Sequence, residues 1–75
     1  MDKSDYLPYI DVNPNKRFGK PCIKGSRITV ADVLEMMADG MTQADIISEH
    51  PNLNALQIKA TLAYASCHIA SGAAA

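Results

Sequence analysis

A chain of 75 residues has room for one domain, and a domain this small buries only a modest share of its surface. Hydrophobic residues make up 48% of the chain but aromatic residues only 5%, so its core must be aliphatic. Two cysteines do not make a disulfide framework, no run approaches the roughly 20 apolar residues of a membrane span, and Met1-Asp2-Lys3-Ser4-Asp5 lacks the apolar region of a secretory signal.

Together these features predict a cytoplasmic protein with Cys22 and Cys67 reduced and no membrane role. They also favour a partner, such as a second copy in a homodimer, that completes a small core. The net charge of −1 argues against a globally basic nucleic-acid binder, but the charge is unevenly spread. Lys16, Arg17, Lys20, Lys24 and Arg27 lie together with no acid among them. After Ile28 come Asp32, Glu35, Asp39, Asp45 and Glu49, against the single base Lys59. A basic arm on an acidic body can dock on phosphates or on the acidic body of another protomer.

In chain order, residues 1–5 are predicted to fray. Tyr6-Leu7-Pro8-Tyr9-Ile10-Asp11-Val12 has β-forming residues, with Tyr6, Ile10 and Val12 at even spacing. Pro8 restricts it to an edge strand, or to an arm whose strand begins at about Tyr9. Asn13-Pro14-Asn15 is a turn signal, and residues 16–19 form a loop. Phe18 is either a core anchor or a residue stacking beside the basic cluster. The core is favoured, because a lone phenylalanine is seldom left in water.

Residues 19–30, Gly-Lys-Pro-Cys-Ile-Lys-Gly-Ser-Arg-Ile-Thr-Val, have the grammar of strand, turn, strand and helix start. Gly25-Ser26 suits a tight turn, since glycine accepts positive φ without steric cost. A hairpin closed there sets Ile23 opposite Ile28 and Lys24 opposite Arg27. The like-charged pair is either presented to an anion or splayed into water. The arm around Tyr9–Val12 can pair with residues 22–24, in the same chain or in a second protomer.

Three helices follow. Thr29 and Asp32 approximate a capping box, Val30, Val33, Leu34 and Met37 supply an apolar stripe, and Gly40 ends the first helix, at about 30–39. Thr42 and Asp45 repeat the box for a short helix over Gln43–Glu49, with Ile46 and Ile47 inward, stopped by His50-Pro51. Leu53 is expected to plug the core. Asn54 and Gln57 cap the longest helix, in which Ala55, Ile58, Leu62, Ala65 and Ile69 form the stripe, Tyr64 and Cys67 widen it, and Ser71-Gly72 ends it. On this stripe Leu62 is the central core residue.

Two helices of unequal length joined by a short connection are a helix-turn-helix candidate, in which the second helix enters a major groove. Asn54, Gln57, Lys59 and Thr61 are its polar residues there. Asn and Gln can read adenine edges, and Lys can contact phosphate or guanine. Packing alone is the competing account, because Asp45 and Glu49 would repel a phosphate backbone. Cys22, His50, Cys67 and His68 show neither Cys-x-x-Cys nor His-x-x-x-His spacing, so they predict no metal site. No posed nucleophile and no Gly-rich phosphate loop occurs, so no catalytic residue and no cofactor is expected, and the chain is read as a non-enzyme.

The stretch 19–30 resembles the Gly-Lys-Pro-x-Ile-x-Gly-Thr-Arg-Ile-x-Val signature of the prokaryotic domain-of-unknown-function family 433. Asp39-Gly40-Met41-Thr42 looks like the helix break of that family. Ile46-Ile47 with His50-Pro51-Asn52-Leu53 resembles its Ile-Leu-x-x-Tyr-Pro-x-Leu, and residues 58–65 resemble its Ile-x-Ala-Ala-Leu-x-Tyr-Ala. The likeness covers about residues 10–65. Ser26 replaces the usual Thr, Phe18 stands where a small residue is frequent, and His50 stands where Tyr is common. The resemblance implies a mainly α, three-helix helix-turn-helix domain, winged-helix-like, with short N-terminal β strands. It also implies an antitoxin-like protein of a type II toxin–antitoxin pair that binds its promoter DNA and a PIN-like ribonuclease toxin.

The expected organisation is a single domain over 1–75, with a β arm and basic loop at about 9–28 and a three-helix body at about 29–71. The residues expected to contact DNA are Lys16, Arg17, Lys20, Lys24 and Arg27 on the arm, and Asn54, Gln57 and Lys59 on the last helix. The alternative is a protein–protein interaction module without nucleic-acid binding.

Overall fold

A computed structural model describes residues 3–70. In chain order its elements are α1 (Lys3–Tyr6), β1 (Ile10–Asp11), β2 (Cys22–Ile23), α2 (Val30–Ala38), α3 (Gln43–Glu49) and α4 (Ala55–Ala70). Short 3₁₀ turns lie at Leu7–Tyr9 and Arg17–Gly19. The architecture is mainly α with short N-terminal strands, as expected.

The helix starts follow from reciprocal caps. The Asp32 amide donates to Thr29 Oγ1 at 2.9 Å, and the Thr29 amide donates to Asp32 Oδ2 at 3.0 Å. Thr42 with Asp45, at 2.9 and 3.1 Å, and Asn54 with Gln57, at 2.8 and 2.9 Å, repeat the motif. Each box satisfies two backbone donors that a helix start leaves open. At the other end of α2, the Gly40 amide donates to the Met37 carbonyl and the Met41 amide to the Met36 carbonyl. That is the Schellman arrangement, and it needs the left-handed φ of +96° at Gly40. The predicted end of the last helix at Ser71-Gly72 lies outside the described residues.

Two apolar clusters hold these elements. Ile23, Val33, Ile46, Leu53 and Ile58 form one, so β2 supplies a central residue to the helical body. Tyr6, Ile10, Val30 and Ala60 form the other, with Tyr9, Ala63, Tyr64, Ala65 and Cys67 against it. α4 therefore packs on the other helices with one face and on the N-terminal arm with another.

That double packing corrects the predicted face of the last helix. Ile58, Ala60 and Thr61 are the buried residues of α4, while Leu62 is half-buried and Ile69 is exposed. A helix buried on two sides has no single stripe. The arm is corrected as well. Residues 3–5, expected to fray, are helical, and Tyr6 is buried edge-on against Tyr64, with ring centroids 5.7 Å apart. Residues 1 and 2 lie outside the described residues. Val12, expected to share a strand face with Ile10, is exposed because β1 ends at Asp11.

β1 pairs antiparallel with β2 in the same chain, with Ile10 opposite Ile23 and Asp11 opposite Cys22. On its other edge β2 meets residues 28–30. The Ile23 amide donates to the Ile28 carbonyl, the Val30 amide donates to the Pro21 carbonyl, and Cys22 bridges Thr29. This is the register expected of the hairpin. Its turn differs by one residue. The Ser26 amide donates to the Ile23 carbonyl at 3.0 Å, so Lys24-Gly25 is the central pair and Gly25, at φ +80°, takes the position that demands glycine. The Ser26 hydroxyl donates to the same carbonyl and accepts from the Ile28 amide, completing the hairpin near its tip.

Candidate nucleic-acid interface

The basic arm divides into two kinds of cation. Lys16 Nζ lies 3.3 Å from Asp11 Oδ2. Arg17 Nη1 donates to the Arg27 carbonyl at 2.7 Å and to Asp32 Oδ2 at 3.2 Å. Both side chains are half-buried and committed within the chain. Lys20, Lys24 and Arg27 are exposed, and their side chains have no ion-pair or hydrogen-bond partner among the described residues. Lys24 is central in the hairpin turn, and Arg27 lies on the returning side, between Ser26 and Ile28. The five predicted arm residues are thus two braces and three free cations.

Arg17 joins the loop to the start of α2. Asp32 both caps that helix and accepts from Arg17, and its carboxyl is held below the ordinary carboxylate range. The Thr29 amide is the main cause, opposed by partial burial and aided by the Thr29 hydroxyl and the Arg17 guanidinium. Arg17, Phe18 and Gly19 have φ of +50°, +59° and +78° in succession. Two of these are not glycine, and left-handed geometry at a bulky residue persists only where surrounding contacts impose it. The two Arg17 hydrogen bonds are such contacts.

Phe18, expected in the core, is 97% exposed. The arm's core positions are filled instead by Tyr6, Ile10, Cys22 and Ile23, and the left-handed turn presents Phe18 outward.

On α4, the Asn54 and Gln57 side-chain oxygens accept from each other's backbone amides in the cap. Bidentate readout of adenine needs the same oxygens, so the cap orients these side chains toward the helix start and leaves their NH₂ groups and one lone pair on each oxygen uncommitted. Lys59 is exposed. Thr61, expected to face a groove, is fully buried and donates its hydroxyl to the Gln57 carbonyl at 3.0 Å.

The acidic side of the molecule has a shape as well as a charge. Asp32, Glu35, Met36 and Asp39 share one face of α2 and, with Ile28 and His50, line an open groove of about 330 Å³. The spacing of the acids along α2 was visible in the sequence. The brace from Arg17 was not, because nothing local links positions 15 residues apart.

Of the remaining nucleophiles and ligands, Cys22 is buried, Cys67 is half-buried, and the His68 ring lies tilted by 55° against Tyr64 with centroids 4.3 Å apart. Among the described residues no three His, Cys, Asp or Glu side chains converge as a metal site requires, and no helix is long and apolar enough to cross a membrane.

A family model described as "Protein of unknown function (DUF433)" matches residues 10–65. No curated protein and no solved structure matches the chain.

Proposed function

The chain belongs to the DUF433 family, and from that premise we propose that it is an antitoxin-like helix-turn-helix protein of a type II toxin–antitoxin pair. On this reading it is a cytoplasmic, non-enzymatic homodimer that binds its own promoter DNA and a PIN-like toxin. One observation carries the DNA half. Lys24 and Arg27, with Lys20 just before them, are exposed and without a partner among the described residues, on a hairpin that backbone hydrogen bonds and the Arg17 brace hold to the start of α2. Cations fixed in that way meet phosphates without first giving up partners of their own. Lys59 is the further cation on α4, and Lys16 and Arg17 act on DNA only by shaping the loop. The toxin half rests on the family likeness.

The test is a titration against the DNA upstream of the gene at several salt concentrations. If the three hairpin cations reach phosphates, log K falls with log salt at a slope of about −3 per protomer. Replacing Lys24 and Arg27 with Ala should flatten that slope by about 2. Absence of binding at low salt would remove the DNA half.

A second reading, a protein–protein module without nucleic-acid binding, is favoured by the acidic groove and by the commitment of Asn54 and Gln57 to a cap. Recovery of a nuclease-like partner together with no DNA shift would select it.

A further inference from the structure

Phe18 and the α2 groove are a knob and a hole on neighbouring parts of one molecule. The knob is a phenyl ring in water, at the tip of a left-handed turn. The hole has an apolar floor of Ile28 and Met36, acidic walls of Asp32, Glu35 and Asp39, and His50 at its side. Arg17, the residue before the knob, is hydrogen-bonded to Asp32, a wall of the hole. The two features are therefore held close together and in fixed relation.

We propose that two copies of this chain associate by reciprocal docking, with Phe18 of each seated on the Ile28–Met36 floor of the other's groove. Three observations argue for a second copy as the occupant. The first is charge: Lys20 follows the knob by two residues and has no partner among the described residues, while the groove walls carry three carboxylates. The second is symmetry. A two-fold contact requires both halves of the complementary pair on one surface, so that each copy gives its knob and receives its partner's. The third is cost. At a net charge of −1 two copies repel each other little.

The strained backbone fits the same role. A left-handed phenylalanine is unfavourable in the monomer, and Arg17 holds it there. Presenting the ring to a partner is what that conformation achieves. The inference gives an interface to the homodimer of the reading above and shares with its DNA half only Lys20, so Lys24 and Arg27 stay available to phosphates.

The experiment is sedimentation of the full chain over about 1 µM to about 1 mM, a range that covers weak association. Wild type should show a monomer–dimer equilibrium. Phe18→Gly should weaken it at least tenfold with no fall in the thermal midpoint read at about 1 µM, where the dimer contributes least, since glycine accepts that φ. Asp39→Lys, which sets a cation near Lys20, should weaken it too. A photo-crosslinking phenylalanine analogue in place of Phe18 should give a dimer-mass adduct mapped to residues 28–39 of the second copy.

A wild type that stays monomeric throughout overturns both this inference and the homodimer. A dimer indifferent to Phe18→Gly, or adducts mapped away from the groove, overturns the inference and leaves the homodimer. Loss of DNA affinity in Phe18→Gly with self-association unchanged assigns the ring to nucleic acid, which also overturns it.

Discussion

Residues 29–70 and residues 3–28 reach order by different routes. In the helical body each start is decided by a pair three residues apart, Thr29 with Asp32, Thr42 with Asp45 and Asn54 with Gln57. In the arm the conformation depends on distant partners. The Lys24 amide donates to the Tyr9 carbonyl, and Arg17 reaches a carbonyl 10 residues on and a carboxylate 15 residues on. A local code suffices for the first region. The second is shaped by what it packs against, and it keeps a left-handed aromatic that no local preference would choose. That difference locates the two surfaces of interest, since both the free cations and Phe18 lie on the region set from afar.

The sharpest test inside the body is Ile58→Ala. Ile58 is fully buried in the cluster that joins β2 to all three longer helices. The substitution should cost about 3–4 kcal/mol, from lost transfer energy and the cavity left behind. A chain of this length is stable by only about 4–11 kcal/mol, so the variant should unfold at far lower urea. Leu62→Ala, at a half-buried position outside both clusters, should cost about 1 kcal/mol. Urea midpoints for the two variants in the reverse order would mean that α4 presents the stripe read from its sequence.

Tyr6→Ala asks whether the arm is integral to the fold. The ring is 3% exposed and packs edge-on to Tyr64. Its loss should cost about 3 kcal/mol, less than or similar to Ile58→Ala. A frayed arm would give no change. Hydrogen exchange at the Ile10 and Lys24 amides should speed in parallel, because residues 6–10 carry β1 into its pairing with β2.

This contrast also explains what could be read from the chain. The three capping boxes, the Gly40 stop, the Gln43–Glu49 helix and buried Leu53 depend on residues within a few positions, and all were legible. So was the hairpin register, because alternation set Ile23 and Ile28 together. Phe18 differs from its expected core position because hydrophobicity alone directs it inward, whereas the turn closed by the Gly19 and Lys20 amides on the Lys16 and Arg17 carbonyls, with the Arg17 brace that no local pattern reveals, presents it outward. Thr61 and Leu62 exchanged roles because the arm covers a second side of α4, which a one-stripe reading does not anticipate. The basic cluster was legible as a cluster. Its division into braces and free cations depended on Asp11 and Asp32 arriving nearby.

Asp32 belongs to both regions, capping α2 and holding Arg17, so its titration measures how far the body controls the arm. Its carboxyl sits below the ordinary range when folded. The stability it confers is therefore present above its unfolded pKa, near about 4. That stability is lost as pH falls through the lower folded value. At pH 7, Asp32→Asn should cost about 0.5–1 kcal/mol, a modest figure because the Arg17 pair is partly exposed and water screens it. The difference from wild type should shrink as the solution is acidified and vanish once the wild-type carboxyl is protonated. Asp45 is also held low, by the Thr42 amide, but it is fully exposed and has no arginine. Asp45→Asn should therefore perturb α3 while leaving the chemical shifts of residues 16–20 in place. Asp32→Asn should move those shifts even where the global loss is small. Shifts at 16–20 that ignore Asp32→Asn would mean that the bond from Arg17 to the Arg27 carbonyl alone sets the Phe18 turn, and that the arm carries its own strain without help from the body.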